Sequence, residues 1–365
     1  MTVLKIILLV FSVLGAIDYT FGSRFGFGKE FVRAFHMFAS LSLAMMGMIV
    51  LAPLIADFMR PMTAFCADVL HLDPSILPAS LLANDMGGAP LAEAVMQNKE
   101  VGLFNAYVVS AMMGCTISFT IPLALGSVPK EKHTLLLLGL LAGIATIPLG
   151  AFAAGIVAGV PLSVLCIDLL PLLLLAVLIC ASLLLFPHAC IKVFAVLGYL
   201  IKIIVLIGLV LGLIRYFTDV APIEALNLAP IEEGGMIAFR AIVMASGALP
   251  LLYAVSVLVK RPLRAVGNKL GVNEASVAML LGSLASTPIT FASTDRMNAK
   301  GITLNAAFAV SAGFLLAGHL AFTISMAPSY VLPLAVGKLT AGVSAAFLAL
   351  FLYKRNEKNL LRAPS

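Results

Sequence analysis

The chain has 365 residues, 62% of them hydrophobic and 11% charged, with a formal net charge of +6. Soluble domains carry about 25% charged residues, and a chain of this length lacks the interior to hide so much apolar surface. With a mean hydropathy of +1.11, the composition excludes a soluble multidomain protein, a disordered chain, a secreted disulfide scaffold and a nucleic-acid binder.

A helix needs about 20 apolar residues to cross a hydrocarbon core of roughly 30 Å. Nine stretches qualify in chain order: 3–22, 34–57, 100–125, 133–159, 164–186, 190–214, 235–258, 302–325 and 331–353. The first lacks a small-residue cleavage site and runs into Asp18 and a short basic loop, which reads as a retained helix rather than a leader.

Charge placement then orients the spans. Most of the 23 basic residues fall in alternate loops: Arg24, Lys29 and Arg33, then Lys130 and Lys132, then Lys192. The same set continues with Lys260, Arg261, Arg264 and Lys269, then Arg296 and Lys300, and ends with Lys354, Arg355, Lys358 and Arg362. The opposite loops hold only Arg60, Lys99 and Arg215, with Lys5 at the N-terminus, and 216–234 is acidic through Asp219, Glu224, Glu232 and Glu233. The positive-inside rule therefore predicts a cytoplasmic C-terminus and an outer N-terminus. It also requires 74–98 and 274–294 to enter and leave on one side each, as re-entrant hairpins. Arms of about ten residues, roughly 15 Å of helix, reach the midplane.

The two hairpin regions align at a shift of 201 residues. Arg60-Pro61 meets Arg261-Pro262, Ser75 meets Ser276, Met96 meets Met297 and Lys99 meets Lys300. Val109-Ser110-Ala111 meets Val310-Ser311-Ala312. Five crossings separate the copies, so their orientations are opposite, and interrupted helices in inverted repeats are a secondary-transporter signature. The expected fold is an all-α polytopic membrane protein with about nine full transmembrane helices and two broken hairpins, or eleven segments if the broken helices span. Residues 1–163 form the first repeat, 164–186 a linking helix and 187–365 the second repeat.

The first tip, LLANDMGGAPLAEA at 81–94, places Asn84 and Asp85 before Gly87, Gly88 and Pro90. Glycine permits the reversal and proline suits the first turn of the next helix. A midplane carboxylate is costly without a partner. Asp85 is therefore either a site for a cationic group or a structural residue that caps the second half-helix or pairs with a lysine. The second tip, GSLASTPITFAST at 282–294, offers Ser286, Thr287 and Thr290 around Pro288. Their hydroxyls suit a ligand hydroxyl or their own helix backbone. Asn105, Asn305, Cys115, Thr116 and Ser118 lie on the helices that follow the hairpins. His319 reads as an interhelical bond or a substrate contact, and Lys338 as a snorkelling side chain or a counter-charge to Asp85. Lys202 reads as packing or snorkelling. Gly155 and Gly159 read as a close helix contact.

Cys66, Cys115, Cys166, Cys180 and Cys190 form no CxxC pair and read as small apolar residues. No HExxH, Walker A, GxSxG or dinucleotide fingerprint occurs. Neither a metal, a cofactor nor an enzymatic activity is expected. The partners are a small-molecule substrate and membrane lipid, with self-association open.

The stretches SLAMMGMIVLAPLI at 42–55, LLANDMGG at 81–88 and SAMMGCTISFTIPLALG at 110–126 resemble the ethanolamine utilisation permease family (EutH-like). So do LLAGIATIPLG at 140–150, NAAFAVSAGF at 305–314 and PLAVGKLTAGVSA at 333–345. The resemblance runs in order along nearly the whole chain and implies a bacterial inner-membrane carrier for ethanolamine or a related amino alcohol. The substrate-binding residues expected are Asn84, Asp85, Gly87, Gly88, Ser286, Thr287, Thr290, Asn305 and His319. The chain departs from the family pattern at Gly318, at Ser286-Thr287 and at Asn84. A channel, a membrane enzyme or a carrier of another small amine are the competing readings.

Overall fold

The computed structural model describes residues 2–218, 221–316 and 318–360. Asp219 of the acidic loop and Arg362 of the basic tail lie outside them. The described residues are helical with no strand, as apolar surroundings demand when every backbone polar group must be satisfied within its own segment.

The chain opens with α1 (Thr2–Thr20), α2 (Phe27–His36) and the long α3 (Phe38–Asp68), which carries Pro53 and Pro61. Then come α4 (Ile76–Leu81) and α5 (Gly88–Val95), the arms of the first hairpin. Next, α6 (Lys99–Phe104) continues through π-helical runs at Asn105–Gly114 and Thr116–Thr120 into α7 (Ile121–Ser127). The middle of the chain holds α8 (His133–Ala158), α9 (Leu162–Asp168), α10 (Leu170–Leu185), α11 (Pro187–Phe217) and the short α12 (Ala221–Glu224). The second half holds α13 (Ile231–Leu270), hairpin arms α14 (Glu274–Ala285) and α15 (Thr287–Ala292), α16 (Ala299–Ala312), α17 (Gly318–Met326) and α18 (Val331–Leu360).

Among the described residues seven helical stretches are long and apolar enough to cross a membrane: 27–68, 99–127, 130–158, 162–185, 192–217, 231–259 and 328–356. The expectation of nine full spans is not confirmed as a count. The stretch 3–22 forms a helix, α1. The stretch 302–325 is not one helix: it breaks between α16 and α17.

Both hairpins close on themselves. Asp73 Oδ2 accepts from the backbone N–H groups of Gln97 (3.0 Å) and Asn98 (2.7 Å), tying the entry of the first hairpin to its exit. In the second, Asn273 Nδ2 donates to Arg296 O (2.8 Å) and Asn298 Nδ2 donates to Gly271 O (2.9 Å). Asn98 and Asn298 also cap the N-termini of α6 and α16. Asn105 donates to Ser75 Oγ (3.0 Å), and Asn305 to Ser276 O (2.9 Å). The pairs Asp73/Asn273, Asn98/Asn298 and Asn105/Asn305 do matching work at a spacing of 200, one residue off the register of the sequence identities.

The core sits where α8, α16 and α18 pack together. Gly150 of α8 faces the Gly337 carbonyl of α18 so closely that a Cβ there would lie 2.4 Å from it. Gly155 likewise meets the Leu165 side chain, whereas Gly159 (φ 82°) ends α8 in a left-handed turn and touches nothing within 4 Å. The Gly155/Gly159 pair is thus half a packing contact and half a helix stop. All five cysteines are free.

Candidate functional site

The first hairpin breaks because Leu82 and Ala83 run extended before a 3-10 turn at Asn84–Met86. Gly87 then takes φ 99°, a left-handed conformation that glycine adopts without penalty. The backbone groups freed by the break are met by serines of the π-helical stretch. Ser110 Oγ donates to Leu82 O (2.7 Å), and Ala83 N donates to Ser118 Oγ (3.1 Å). Gly88 must be glycine here, because a Cβ would sit 2.1 Å from Ser110 Oγ and 2.2 Å from Leu82 O. π-Helical turns inside a helix frequently mark functional sites, and these present their side chains to the tip.

Asn84 is fully buried, and its Oδ1 accepts from Asp85 N (3.0 Å). The Asp85 side chain is 20% exposed, and its Oδ1 lies 3.8 Å from His319 Nε2. That is ion-pair range but too long for a hydrogen bond, and the pair is charged on both sides only when His319 is protonated.

The second hairpin breaks at Ser286, which is extended between α14 and α15, with Pro288 in the first turn of α15. The carbonyls freed at the end of α14 are taken up by the break in 302–325. Phe314 N donates to Ser283 O (3.0 Å) and Leu316 N to Leu284 O (2.8 Å). Phe314 carries the left-handed φ of 57°, and α16 ends at an extended Gly313. The Gly313 carbonyl is capped by the ammonium of Lys338, at 2.6 Å.

The two tips therefore converge on one unwound segment. Its near end touches the second tip, where a Cβ on Gly313 would lie 2.5 Å from Thr287 Cγ2. Its far end reaches the first tip, where a Cβ on Gly318 would lie 3.1 Å from Asp85 Oδ2. Phe314 packs against His319, with ring centroids 5.4 Å apart. Lys338 is 1% exposed, so it does not snorkel.

Four buried polar atoms on these elements lack a hydrogen-bond partner: Asn84 Nδ2, Thr287 Oγ1, His319 Nδ1 and Thr323 Oγ1. Buried polar groups are normally satisfied, so these orphans make the two tips and the segment between them the candidate site. Of the residues expected from sequence, Asn84, Asp85, Gly87, Gly88, Thr287 and His319 come together here. Ser286 supplies the backbone break and is half-buried. Thr290 donates to Met279 O (3.3 Å) and so holds the hairpin arms together. Asn305 spends its amide on Ser276 O and Gly301 O, toward the hairpin mouth. Lys202 is exposed.

Sequence reasoning passed over Thr323, the buried Asp168, and Glu93, whose carboxylate accepts from the Tyr107 hydroxyl. A lone threonine in an apolar helix carries no signal. The two carboxylates were visible as acidic residues inside or beside apolar runs, which is a functional pointer in lipid.

The family profile described as "Ethanolamine utilisation protein, EutH" matches residues 1–352. A probable ethanolamine permease EutH of Listeria monocytogenes is 38% identical over 352 residues, covering 96% of this chain and 94% of the relative. The uncharacterized protein YxeR of Bacillus subtilis is 34% identical over 343 residues, covering 94% and 92%. A probable ethanolamine permease EutH of Salmonella typhimurium is 31% identical over 354 residues, covering 91% and 87%. No solved structure matches the chain.

Proposed function

Because the chain belongs to the EutH family of ethanolamine utilisation proteins, we propose that it carries ethanolamine, or a closely related small amino alcohol, across the bacterial inner membrane. The family is one of permeases, not enzymes, and the seven long apolar helices fit a multi-pass membrane protein. The ammonium of the substrate binds at Asp85, and its hydroxyl is read by the orphan polar atoms of Asn84 and Thr287. The observation that carries this reading is Asp85 itself: a partly exposed carboxylate at a helix break, beside Asn84 and His319, each of which keeps a buried polar atom without a partner.

The chemistry follows from charge and size. Ethanolamine at neutral pH is mostly an ammonium cation with one hydroxyl. A carboxylate in low dielectric attracts it far more strongly than one in water. Lys338 supplies the counter-charge that makes Asp85 tolerable without substrate, while its hydrogen bond to Gly313 anchors the unwound segment. The matched clamps at Asp73/Asn273 and Asn98/Asn298 support an inverted repeat, with residues 1–163 and 187–365 as its halves and 164–186 as the link. In such a pair, alternating access comes from rocking one half against the other around a fixed site.

Asp85→Asn keeps the size of the side chain and removes its charge. Radiolabelled ethanolamine uptake into proteoliposomes should fall to near background, and binding to the purified protein should weaken by about tenfold or more. Asp85→Glu should retain part of the activity, since the tip fixes where the carboxylate lies. Wild-type affinity in a folded Asp85→Asn protein overturns the site.

A further inference from the structure

At the end of the first hairpin opposite its tip lies a cavity of about 390 Å³, lined among others by His71, Asp73, Gln97, Asn98, Val164 and Asp168. Two carboxylates line it, and no lysine or arginine does. Asp73 spends both oxygens on backbone N–H groups of Ser75, Gln97 and Asn98, so it contributes charge but no free ligand atom. Asp168 differs. It is 3% exposed, its Oδ1 accepts a single bond from Asn105 Nδ2 (3.2 Å), and its Oδ2 has no partner. Asn105 is fully buried, and its own Oδ1 is also unpartnered.

We infer that this mouth is a second cation site, separate from the tips, in which Asp168 holds a small monovalent cation. A carboxylate has room for about four hydrogen bonds, and Asp168 receives one from a neutral amide. A buried charge so poorly compensated is costly. The unfilled atoms nearby, Asp168 Oδ2 and Asn105 Oδ1, are both acceptors, so what completes the site is a donor or a cation rather than another acceptor, and the carboxylate favours a cation. Among the described residues no group of three or more His, Cys, Asp or Glu side chains could hold a metal ion, which disfavours a divalent ion. Hard oxygen ligands and one free carboxylate suit an alkali cation, and the cavity is roomy enough for a small organic ammonium. The shared chemistry is a monovalent cation; its source is sodium or potassium from the medium, or the transported amine on its way to the tip.

The test uses the full-length protein carrying Asp85→Asn, which removes the charge of the tip; each shift is read with and without the added variants below, so a failure of the tip reading leaves this result unaffected. Thermal melting is followed against NaCl, KCl and ethanolamine hydrochloride, with N-methylglucamine chloride holding the ionic strength constant. Asp168→Asn keeps the acceptor for Asn105 and removes only the charge. Val164→Lys places a tethered ammonium at the lining and covers the case in which Asp168→Asn fails to fold. Stabilisation by sodium or potassium, lost in either added variant, identifies an inorganic cation site. Stabilisation by ethanolamine alone, lost in the same variants, identifies an entrance site for the amine. No cation-specific shift, or shifts of equal size in the added variants, overturns the inference and leaves Asp168 as a mere acceptor for Asn105.

Discussion

At the scale of single residues, the proposed site divides recognition between one charge and several neutral groups. Asp85 supplies the charge; Thr287, on the other tip, is 0% exposed and its hydroxyl has no partner. The hydroxyl is therefore held ready for a ligand, or it is a buried group whose desolvation is uncompensated. These alternatives part under substitution. Thr287→Val removes one hydroxyl at nearly constant volume. A single lost hydrogen bond costs about 0.5–1.5 kcal/mol, and more when the ligand's hydroxyl is left buried and unpaired. Thr287→Val should therefore weaken ethanolamine binding by about 2- to 12-fold and leave ethylamine, which has no hydroxyl, nearly unchanged. Competition by both amines against radiolabelled ethanolamine measures the ratio directly. Equal losses for the two amines would mean that Thr287 only packs against Gly313. Lys338 makes a related point. Its place seven residues into an apolar stretch suited a snorkelling reading, but the broken end of α16 offers a carbonyl within reach, and the side chain turns inward to it.

At the scale of elements, glycines decide where two helices can be interrupted and still pack. A Cβ at Gly88 would collide with Ser110 Oγ and the Leu82 carbonyl, both fixed by their mutual hydrogen bond. Gly88→Ala should therefore lower stability by about 1–3 kcal/mol, the usual range for overpacking, and should disorder the first tip. Gly126→Ala, where nothing lies within 4 Å, is the control and should melt at or above the wild-type temperature. Matched melting curves would decide; a Gly88→Ala protein as stable as Gly126→Ala would show that the tip can relax. Both hairpins are legible in the sequence because their signals are local: Asn-Asp-Met-Gly-Gly in one tip, Ser-Thr-Pro in the other, with Asn or Asp at each mouth. The break in 302–325 is not legible, since the stretch is apolar and has no proline. What opens it is tertiary: Ser283 and Leu284 accept from Phe314 and Leu316, and Lys338 takes the Gly313 carbonyl, from positions 25 to 32 residues away. Only the two flanking glycines, Gly313 and Gly318, hinted at it. Asp168 was hidden for another reason: it stands near the start of a stretch read as a linking helix, and its partner Asn105 lies 63 residues earlier.

At the scale of the whole molecule, long-range contacts sort the loops into two faces, and the sorting can be compared with the charge pattern. On one face Lys132 pairs with Asp295 (2.5 Å), Phe27 packs edge-on against Tyr253 (5.5 Å), and Leu270, Lys300 and Lys354 line a common cavity. On the other, Asn227 donates to Asp57 (2.7 Å), Arg215 to Leu228 O (2.5 Å), and the Tyr330 hydroxyl to Glu100 O (3.0 Å). The first group gathers loops that the sequence marks as basic, and the second gathers those it marks as poor in basic residues. Which face lies in the cytoplasm is set by the positive-inside rule, in which Lys and Arg bias matters and acidic residues count little. The expectation is that single cysteines at Lys99 and Glu232, both exposed, react with a membrane-impermeant maleimide from outside intact cells. Cysteines at Lys130 and Lys269, also exposed, should react only after the cells are opened. The native cysteines must first be replaced, because Cys166 is itself exposed. Reversed labelling at all four positions would keep the two faces and invert the molecule. Labelling of Lys99 and Lys269 from the same side would instead remove the opposed hairpins, and with them the inverted repeat that the proposed alternating access around Asp85 requires.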